Sequence, residues 1–157
     1  MQDRCSANDF KIAMHKYVYS VSIASNTTSE NIDNAITISS FTSISVEPPS
    51  ILVCINKGSR IHDSLMIGTL FCVNLLNDKQ INIAELCAYP NQFDKRFDNK
   101  EWAVSNPPKL IKALVHLECI VDNIIEHKSH SIILGIVKKT NTTKEDNVLM
   151  YKDQKYI

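Results

Sequence analysis

Apolar and polar residues alternate with a period of two along two neighbouring segments of this chain, and this pattern limits its possible folds more than any other feature. Tyr19, Val21 and Ile23 alternate with Ser20, Ser22 and Ala24, and residues 32–39 repeat the pattern after a polar turn at residues 25–31. Successive side chains of a strand point to opposite faces, so such alternation is typical of a strand with one buried face. The two segments predict a hairpin.

Further segments extend the strand pattern. They are residues 50–56 and 70–76, whose continuous apolar character predicts burial on both faces, and residues 113–126, 129–139 and 148–151. A tight polar bend is expected at His127-Lys128 between the third and fourth of these. About seven or eight strands with few helices between them favour a mainly β fold, an antiparallel β-barrel with short helices, over a doubly wound sheet.

Short helices are predicted at three places. Phe10, Ala13, Met14 and Tyr17 have the spacing of one apolar helical stripe. A second helix is expected from Ser59, as its cap, to residue 65, and a third from Asn77 to about residue 87, with Gln80 three residues after its start. Residues 89–108 then read as a long loop, which in a compact domain is more often functional than not.

Length and composition predict one globular domain over residues 1–157, since the chain is 44% hydrophobic. Lys plus Arg and Asp plus Glu balance at 17 each, so no net field favours nucleic acid or an anionic membrane as a partner. The N-terminal residues are polar, and no stretch approaches the roughly 18 apolar residues of a membrane span. The five cysteines lack a C-x-x-C pair and mostly lie in apolar runs. We therefore expect buried, reduced thiols and a cytoplasmic location.

The scarcity of glycine excludes two nucleotide-binding motifs. The chain has three glycines, Gly58, Gly68 and Gly135, and neither G-x-G-x-x-G nor G-x-x-x-x-G-K can be drawn through them. A bound nucleotide would need another kind of site. Residues 37–43, Thr-Ile-Ser-Ser-Phe-Thr-Ser, place five hydroxyls at the end of a strand and the start of a turn. Hydroxyls and successive backbone N–H groups in a turn can hold a phosphate, although a solvated Ser/Thr turn has the same composition.

A second candidate anion site follows the strand at residues 50–56. Asn56-Lys57-Gly58-Ser59-Arg60 combines two cations, an amide and a hydroxyl at the start of the second predicted helix, whose N-terminus would itself favour an anion. An ordinary charged loop is the alternative interpretation. His15, His116 and His127 have no metal-ligand spacing, so no metal site is predicted.

The order of these segments resembles the flavin reductase-like family of FMN-binding split barrels. The resemblance rests on residues 35–45 and Glu47-Pro48-Pro49, then on residues 53–60 and 71–76. It continues through Asp94-Lys95-Arg96-Phe97 with Trp102, Leu117-Glu118-Cys119, His130 with Gly135, and a late Tyr151. The chain departs from relatives at Ala35-Ile36, Lys128-Ser129-His130 and residues 153–156, where glycines are common in the family.

The resemblance implies a homodimer that binds FMN, or FAD, and transfers hydride to it from NADH or NADPH. A flavin-dependent oxygenase component is the implied partner. His130 is the implied catalytic residue, facing the nicotinamide and the flavin. The implied cofactor-binding residues are Ala35, Ile36, Thr37, Ser39, Ser40, Phe41, Thr42, Ser43, Asn56, Lys57, Ser59, Arg60, Arg96 and Tyr151.

Other interpretations stay open beside this resemblance. The rival function is a non-enzymatic flavin- or haem-binding module that a partner protein reduces. Arg96 could instead pair with Asp94 or Asp98 at the surface, and Trp102 is expected to anchor the long loop. His130 could merely satisfy a carbonyl at a strand end.

Overall fold

A computed structural model describes residues 4–144 and 147–157. Two α-helices, α1 (Ala7–Met14) and α2 (Ile81–Ala88), accompany 3-10 helices at His62–Ser64 and Pro90–Lys95. The strands of the described residues are β1 (Tyr19–Ser20), β2 (Ser22–Thr27), β3 (Asp33–Ile38), β4 (Thr42–Val46), β5 (Pro49–Asn56), β6 (Leu70–Leu75), β7 (Trp102–Ala103), β8 (Lys109–Leu110), β9 (Val115–His127), β10 (His130–Thr142), β11 (Met150–Lys152) and β12 (Lys155–Tyr156).

The fold is built on a seven-stranded sheet in the order β3-β2-β6-β9-β10-β5-β4. Every neighbouring pair in it is antiparallel, and β2 and β3 form the predicted hairpin. The β9–β10 hairpin has register shifts at Leu134/Gly135 and Val137/Lys139. Such irregularities increase the local twist of a sheet and help it to curl. The prediction of a mainly β, antiparallel split barrel is confirmed.

Two apolar clusters form the core. The first is enclosed by the large sheet and includes the fully buried Phe71, Val53 and Ile55. The second packs α2 against the sheet and against the small sheet β1-β11-β12, with Ile83 and Leu149 among its members. Helix α2 is therefore held between the two sheets, and its C-terminal end faces the strands that carry the candidate site.

Gly135 marks a close approach inside the first core cluster. A Cβ at this position would lie 2.7 Å from Cζ of Phe71 and 3.2 Å from Cβ of Cys119. Distances this short cannot be accommodated without a shift of buried atoms. The glycine is thus required by packing at the register shift of β10.

The structure corrects several sequence-based expectations for the elements. Residues 42–46 form an exposed edge strand rather than part of a turn, and β2 continues to Thr27 through the start of the expected turn. Buried and half-buried residues alternate along β5, so the expected burial of both faces is wrong. The long loop contains the 3-10 helix Pro90–Lys95 and strand β7. The β9–β10 turn lies at Lys128-Ser129, where Lys128 has a φ of 51°.

The predicted helix at residues 59–65 is reduced to the 3-10 helix His62–Ser64. Instead of capping a helix, the Ser59 hydroxyl donates to the carbonyl of Asn56 at 2.6 Å. A three-residue helix has no appreciable dipole, so the expected helix contribution to anion binding at this point is also wrong. The helix near Asn77 and Gln80 is confirmed as α2, but it begins at Ile81 rather than at Asn77. The N-terminal helix is confirmed as α1, capped by Ser6, but it ends at Met14, so Tyr17 of the predicted stripe lies beyond it.

Cysteine environments differ along the chain. Cys72, Cys87 and Cys119 are buried, and burial raises the pKa of each thiol to about 12, which keeps them protonated and unreactive. Cys5 is exposed, so the expectation of burial is wrong for this residue. None of the described helices is long and apolar enough to cross a membrane.

Candidate functional site

The link between β3 and β4 is fixed to its surroundings by hydroxyl groups. Ser40 Oγ donates to the carbonyl of Cys54 and accepts from its N–H, both at 3.0 Å. Thr37 Oγ1 donates to the carbonyl of Ala84 in α2 at 2.6 Å. These two hydroxyls are hydrogen-bonded to backbone groups and hold the link in place. Ser39, between them, is exposed.

The segment after β5 folds back on itself through Asn56. Asn56 Oδ1 accepts from the N–H of Gly58 at 2.8 Å, and its carbonyl accepts the Ser59 hydroxyl. This compact turn projects Arg60 over the ring of Phe93, with the guanidinium carbon 3.5 Å from the ring centroid. A cation over an aromatic face is held electrostatically while its N–H groups remain free for an anion.

Lys57 lies on the other side of that turn. Its Nζ is 2.9 Å from Oε2 of Glu126, and its side chain is one-third exposed. The Lys57 ammonium lowers the pKa of the Glu126 carboxyl by hydrogen bonding and charge attraction. Lys57 is therefore paired with a carboxylate instead of being directed at the groove described below.

Arg96 is buried, with 6% of its surface exposed. Its Nη1 donates to the carbonyl of Ala35 and its Nη2 donates to the carbonyl of Tyr89 at 2.9 Å, while Nε has no acceptor within residues 4–144 and 147–157. Burial lowers the pKa of this guanidinium. The expected surface pairing with Asp94 or Asp98 is wrong, because two backbone carbonyls hold the side chain inside.

Trp102 fixes the long loop beneath Arg96. The indole Nε1 donates to the carbonyl of Arg96 at 2.7 Å, and the ring packs on Phe97 at 4.7 Å between centroids. The expectation that Trp102 anchors the loop agrees with these contacts. Arg96 is consequently positioned from both its side chain and its backbone.

These elements enclose a groove made of two adjoining clefts that share Ile36 and Asn56. The larger cleft, about 340 Å³, is lined by Ile36, Asn56, Gly58, Ser59, Arg60, Ala88, Pro90, Phe93 and Arg96. The smaller cleft, about 210 Å³, is lined by Ile36, Thr37, Ile38, Ser39, Ser40, Cys54, Ile55, Asn56 and His130. We call the two clefts together the β3–β5 groove.

The β3–β5 groove brings together both anion-binding candidates from the sequence. Ile36, Thr37, Ser39 and Ser40 reach it from one strand end, and the Asn56 turn reaches it from another. His130 stands at the start of β10 opposite Asn56, exposed, with Nδ1 2.9 Å from Ser129 Oγ. It lines the same cleft as Ser39 and Ser40.

Several expected site residues lie outside the groove lining. Ala35 is buried and contributes only its carbonyl to Arg96, and Phe41 packs against the first core cluster. Thr42 and Ser43 lie on the exposed edge strand β4. Tyr151 packs edge-to-face with Tyr156 and lines a third cleft of about 660 Å³, which adjoins the groove at Ala88.

Sequence reasoning also missed residues of the groove. Ala88, Pro90 and Phe93 line it, yet the sequence places them at the end of a helix and in a loop with no chemical pattern. An aromatic residue within the long loop was a weak signal at best. The contact between Phe93 and Arg60 arises from the packing of the 3-10 helix Pro90–Lys95 against α2.

Comparison with known proteins agrees with this architecture. The family described as "Flavin reductase like domain" matches residues 14–157. The chain is 26% identical over 151 residues to the reductase component of the FADH(2)-dependent resorcinol hydroxylase of Rhizobium sp., a match that covers 94% of this chain and 84% of that protein. It is 30% identical over 122 residues to the FMN reductase (NADH) RutF of Pantoea ananatis, covering 76% of this chain and 64% of that protein.

A solved structure shows the same fold. The styrene monooxygenase flavin reductase of Pseudomonas putida S12 aligns with a TM-score of 0.85 and 25% identity, covering 95% of this chain and 96% of that one. The family match, the relatives and the solved structure all agree with the split-barrel fold described above. The chain belongs to the flavin reductase-like family.

Proposed function

We propose that this chain is an NAD(P)H:flavin oxidoreductase that binds FMN or FAD in the β3–β5 groove and reduces it with NADH or NADPH. The observation that carries the proposal is the arrangement of that groove. Two strand ends, the Arg60 guanidinium stacked on Phe93 and the buried Arg96 guanidinium meet there in a chain of the flavin reductase-like family. Reactions of this kind need binding and orientation from the protein more than a protein nucleophile.

The residues of the groove fit a flavin nucleotide. Arg60 has no carboxylate within ion-pair distance among the described residues, so its guanidinium is available to a phosphate. Arg96 Nε is buried at the same groove without an acceptor from the described part of the chain, and a ring carbonyl or nitrogen of a flavin would satisfy it. Ser39 adds an exposed hydroxyl beside the smaller cleft.

Flavin, when bound, supplies the hydride-accepting chemistry. The chain's own contribution is to hold the ligand in one orientation, to exclude water with Ile36 and Phe93, and to place cations near developing negative charge. Arg96 can stabilise such charge without moving, since its side chain is already fixed by the carbonyls of Ala35 and Tyr89.

We further propose His130 as the residue that orients the nicotinamide or the flavin edge. It is exposed at the mouth of the smaller cleft, and a neutral imidazole can donate a hydrogen bond in either tautomer. His130→Ala should leave FMN affinity nearly unchanged and slow anaerobic reduction by NADH by about tenfold or more. An unchanged limiting rate together with unchanged apparent NADH affinity would remove His130 from the site.

The partner proteins are also part of the proposal. Two of the relatives above are the reductases of a hydroxylase and of a monooxygenase, which supports delivery of reduced flavin to a flavin-dependent oxygenase. A homodimer is supported by exposed apolar side chains on α1 and on β4, including Phe10, Ile12 and Val46. The free thiols suit a reducing compartment, and we propose the cytoplasm.

Steady-state oxidation of NADH and of NADPH, followed by loss of nicotinamide absorbance with and without added FMN, tests the function. Turnover that requires flavin supports the proposal. A flavin-loaded protein that neither nucleotide reduces, but that a redox protein can reduce, would identify the electron-carrying module instead. Light scattering at micromolar protein and saturating FMN tests the dimer, and a monomer there would contradict it.

A further inference from the structure

Another cleft lies at the N-terminal end of α2, away from the β3–β5 groove. Its volume is about 410 Å³, and it shares no lining residue with either cleft of the groove. Its lining residues are Asn77, Lys79, Gln80, Asn82, Ile83, Leu86, Asn99, Glu101 and Lys112. The groove meets α2 at its other end, at Ala88, so the helix separates the two sites.

Gln80 is the first sign that this cleft is built for a ligand. The residue is 4% exposed, and its Oε1 accepts from the N–H of Asn77 at 3.1 Å, which sets the orientation of the amide. Its Nε2 then has no acceptor among the described residues. A buried donor left without a partner costs free energy, so a native site of this kind is expected to meet an acceptor supplied from the cleft.

The start of α2 provides further donors. No side chain in the part of the chain that the structure describes caps this helix, and its first turn contains no acidic residue. The first helical hydrogen bond within α2 runs from the N–H of Ala84 to the carbonyl of Gln80, which leaves the preceding N–H groups of the helix without partners among the described residues. A helix N-terminus in this state favours an anion.

Charge and apolar surface define what the ligand would be. Lys79 and Lys112 line the cleft against one carboxylate, Glu101, so cations predominate. Ile83 and Leu86 supply an apolar wall along the same side of α2. A ligand that fits both features has one anionic, hydrogen-bond-accepting group and a compact apolar body. We propose that this cleft binds a small organic carboxylate, with the carboxylate at the start of α2 and its apolar part against Ile83 and Leu86.

Benzoate is the test ligand, and benzamide, which has the same shape without the charge, is its control. Titration of the full chain is followed by calorimetry and by amide chemical shifts. We expect benzoate to shift the amides of Gln80, Ile81 and Asn82 while those of Ser39 to Phe41 stay in place. Benzamide should bind at least about fivefold more weakly, because its head group carries no charge.

Three variants assign the binding to the residues named. Gln80→Glu keeps the acceptor for the Asn77 N–H but replaces the donor with a carboxylate, and should weaken benzoate about tenfold or more. Lys79→Gln and Lys112→Gln alter lysines that are exposed and should each weaken it about twofold to fivefold, and about tenfold together. Lys138→Gln, on the exposed part of β10, is the matched control and should change nothing.

The proposal is overturned by three results. One is the absence of benzoate heat and of shifts at the start of α2 up to about 20 mM, a concentration that would reveal even a weak millimolar complex. Another is binding that shifts the β3–β5 groove alone. The third is an affinity that Lys79→Gln/Lys112→Gln leaves equal to that of Lys138→Gln.

Discussion

Replacing Ser40 with alanine tests how the β3–β4 link is held. The Ser40 hydroxyl makes two hydrogen bonds of 3.0 Å with the peptide group of Cys54. Each such bond contributes about 1 kcal/mol net, and unpaired groups in a half-buried site add to the loss. We therefore expect Ser40→Ala to lower the free energy of unfolding by about 2 kcal/mol, or the Tm by about 4–8 °C for a chain of this size.

The same variant has a specific consequence for ligands. Because the hydroxyl is engaged by the peptide group of Cys54, its loss should disturb the link as a whole and weaken FMN and riboflavin by similar factors. This differs from the sequence-based assignment of Ser40 to the phosphate, under which FMN alone would suffer. Urea unfolding followed by fluorescence of Trp102, the single tryptophan, measures stability, and flavin fluorescence quenching measures both affinities.

Ser43→Ala is the matched control, since Ser43 lies on the exposed strand β4. It should change the free energy of unfolding by no more than about 0.5 kcal/mol. The reasoning is refuted if Ser40→Ala leaves stability equal to that of Ser43→Ala while it weakens FMN and spares riboflavin. Ser40 would then be a phosphate ligand, and the Cys54 contacts would be incidental.

Three further predictions follow from the packing and the charges. Gly135→Ala should lower the free energy of unfolding in urea by about 1–3 kcal/mol, because its Cβ would meet Phe71 at 2.7 Å. Gly58→Ala should lower it less, because its nearest contact would be Asn56 Oδ1 at 3.3 Å, and equal losses of stability in the two variants would contradict this reasoning. NMR titration should give the Glu126 carboxyl a pKa below its ordinary value of 4.5, and Lys57→Gln should return the pKa toward that value, whereas a pKa that Lys57→Gln leaves unchanged would exclude the pair in solution. The pair's small contribution to stability is present above the pKa of Glu126 in the unfolded chain and is lost as pH falls through its pKa in the folded protein. In the native protein at pH 8, a thiol reagent should modify the exposed Cys5 rapidly and leave Cys72, Cys87 and Cys119 unmodified, because burial raises the pKa of these three thiols to about 12. Fast modification of the three buried cysteines would contradict this expectation and show that the core opens.

Local patterns in the sequence were sufficient for most of the sheet. Period-two alternation predicts the β2–β3 hairpin, and an apolar run predicts β6, because burial of one or both faces of a strand determines which of its residues are apolar. Strand β4 was missed since all five of its residues are exposed at the sheet edge, where burial imposes no pattern. Its hydroxyl-rich start resembles a turn in composition alone.

The candidate site was predictable in its two clusters but not in the roles of single side chains. The family resemblance and the strand ends placed Ile36, Ser39, Asn56 and Arg60 in one groove. Whether a hydroxyl or a cation is available to a ligand depends on its hydrogen-bond and ion-pair partners, which are distant in the sequence. Lys57 is taken by Glu126, and Arg96 is held by the carbonyls of Ala35 and Tyr89, contacts that no local pattern contains.

Anaerobic stopped-flow reduction of the FMN-loaded protein tests the central claim most directly. On mixing with NADH, and separately with NADPH, the flavin absorbance should bleach in a single turnover whose rate saturates with at least one of the two nucleotides. Arg60→Gln should raise the FMN concentration needed for loading about tenfold, since a charge-assisted contact to phosphate is lost, and should leave riboflavin loading unchanged. Flavin that dithionite reduces but both nicotinamides leave oxidised would contradict the assignment of this chain as an NAD(P)H:flavin oxidoreductase.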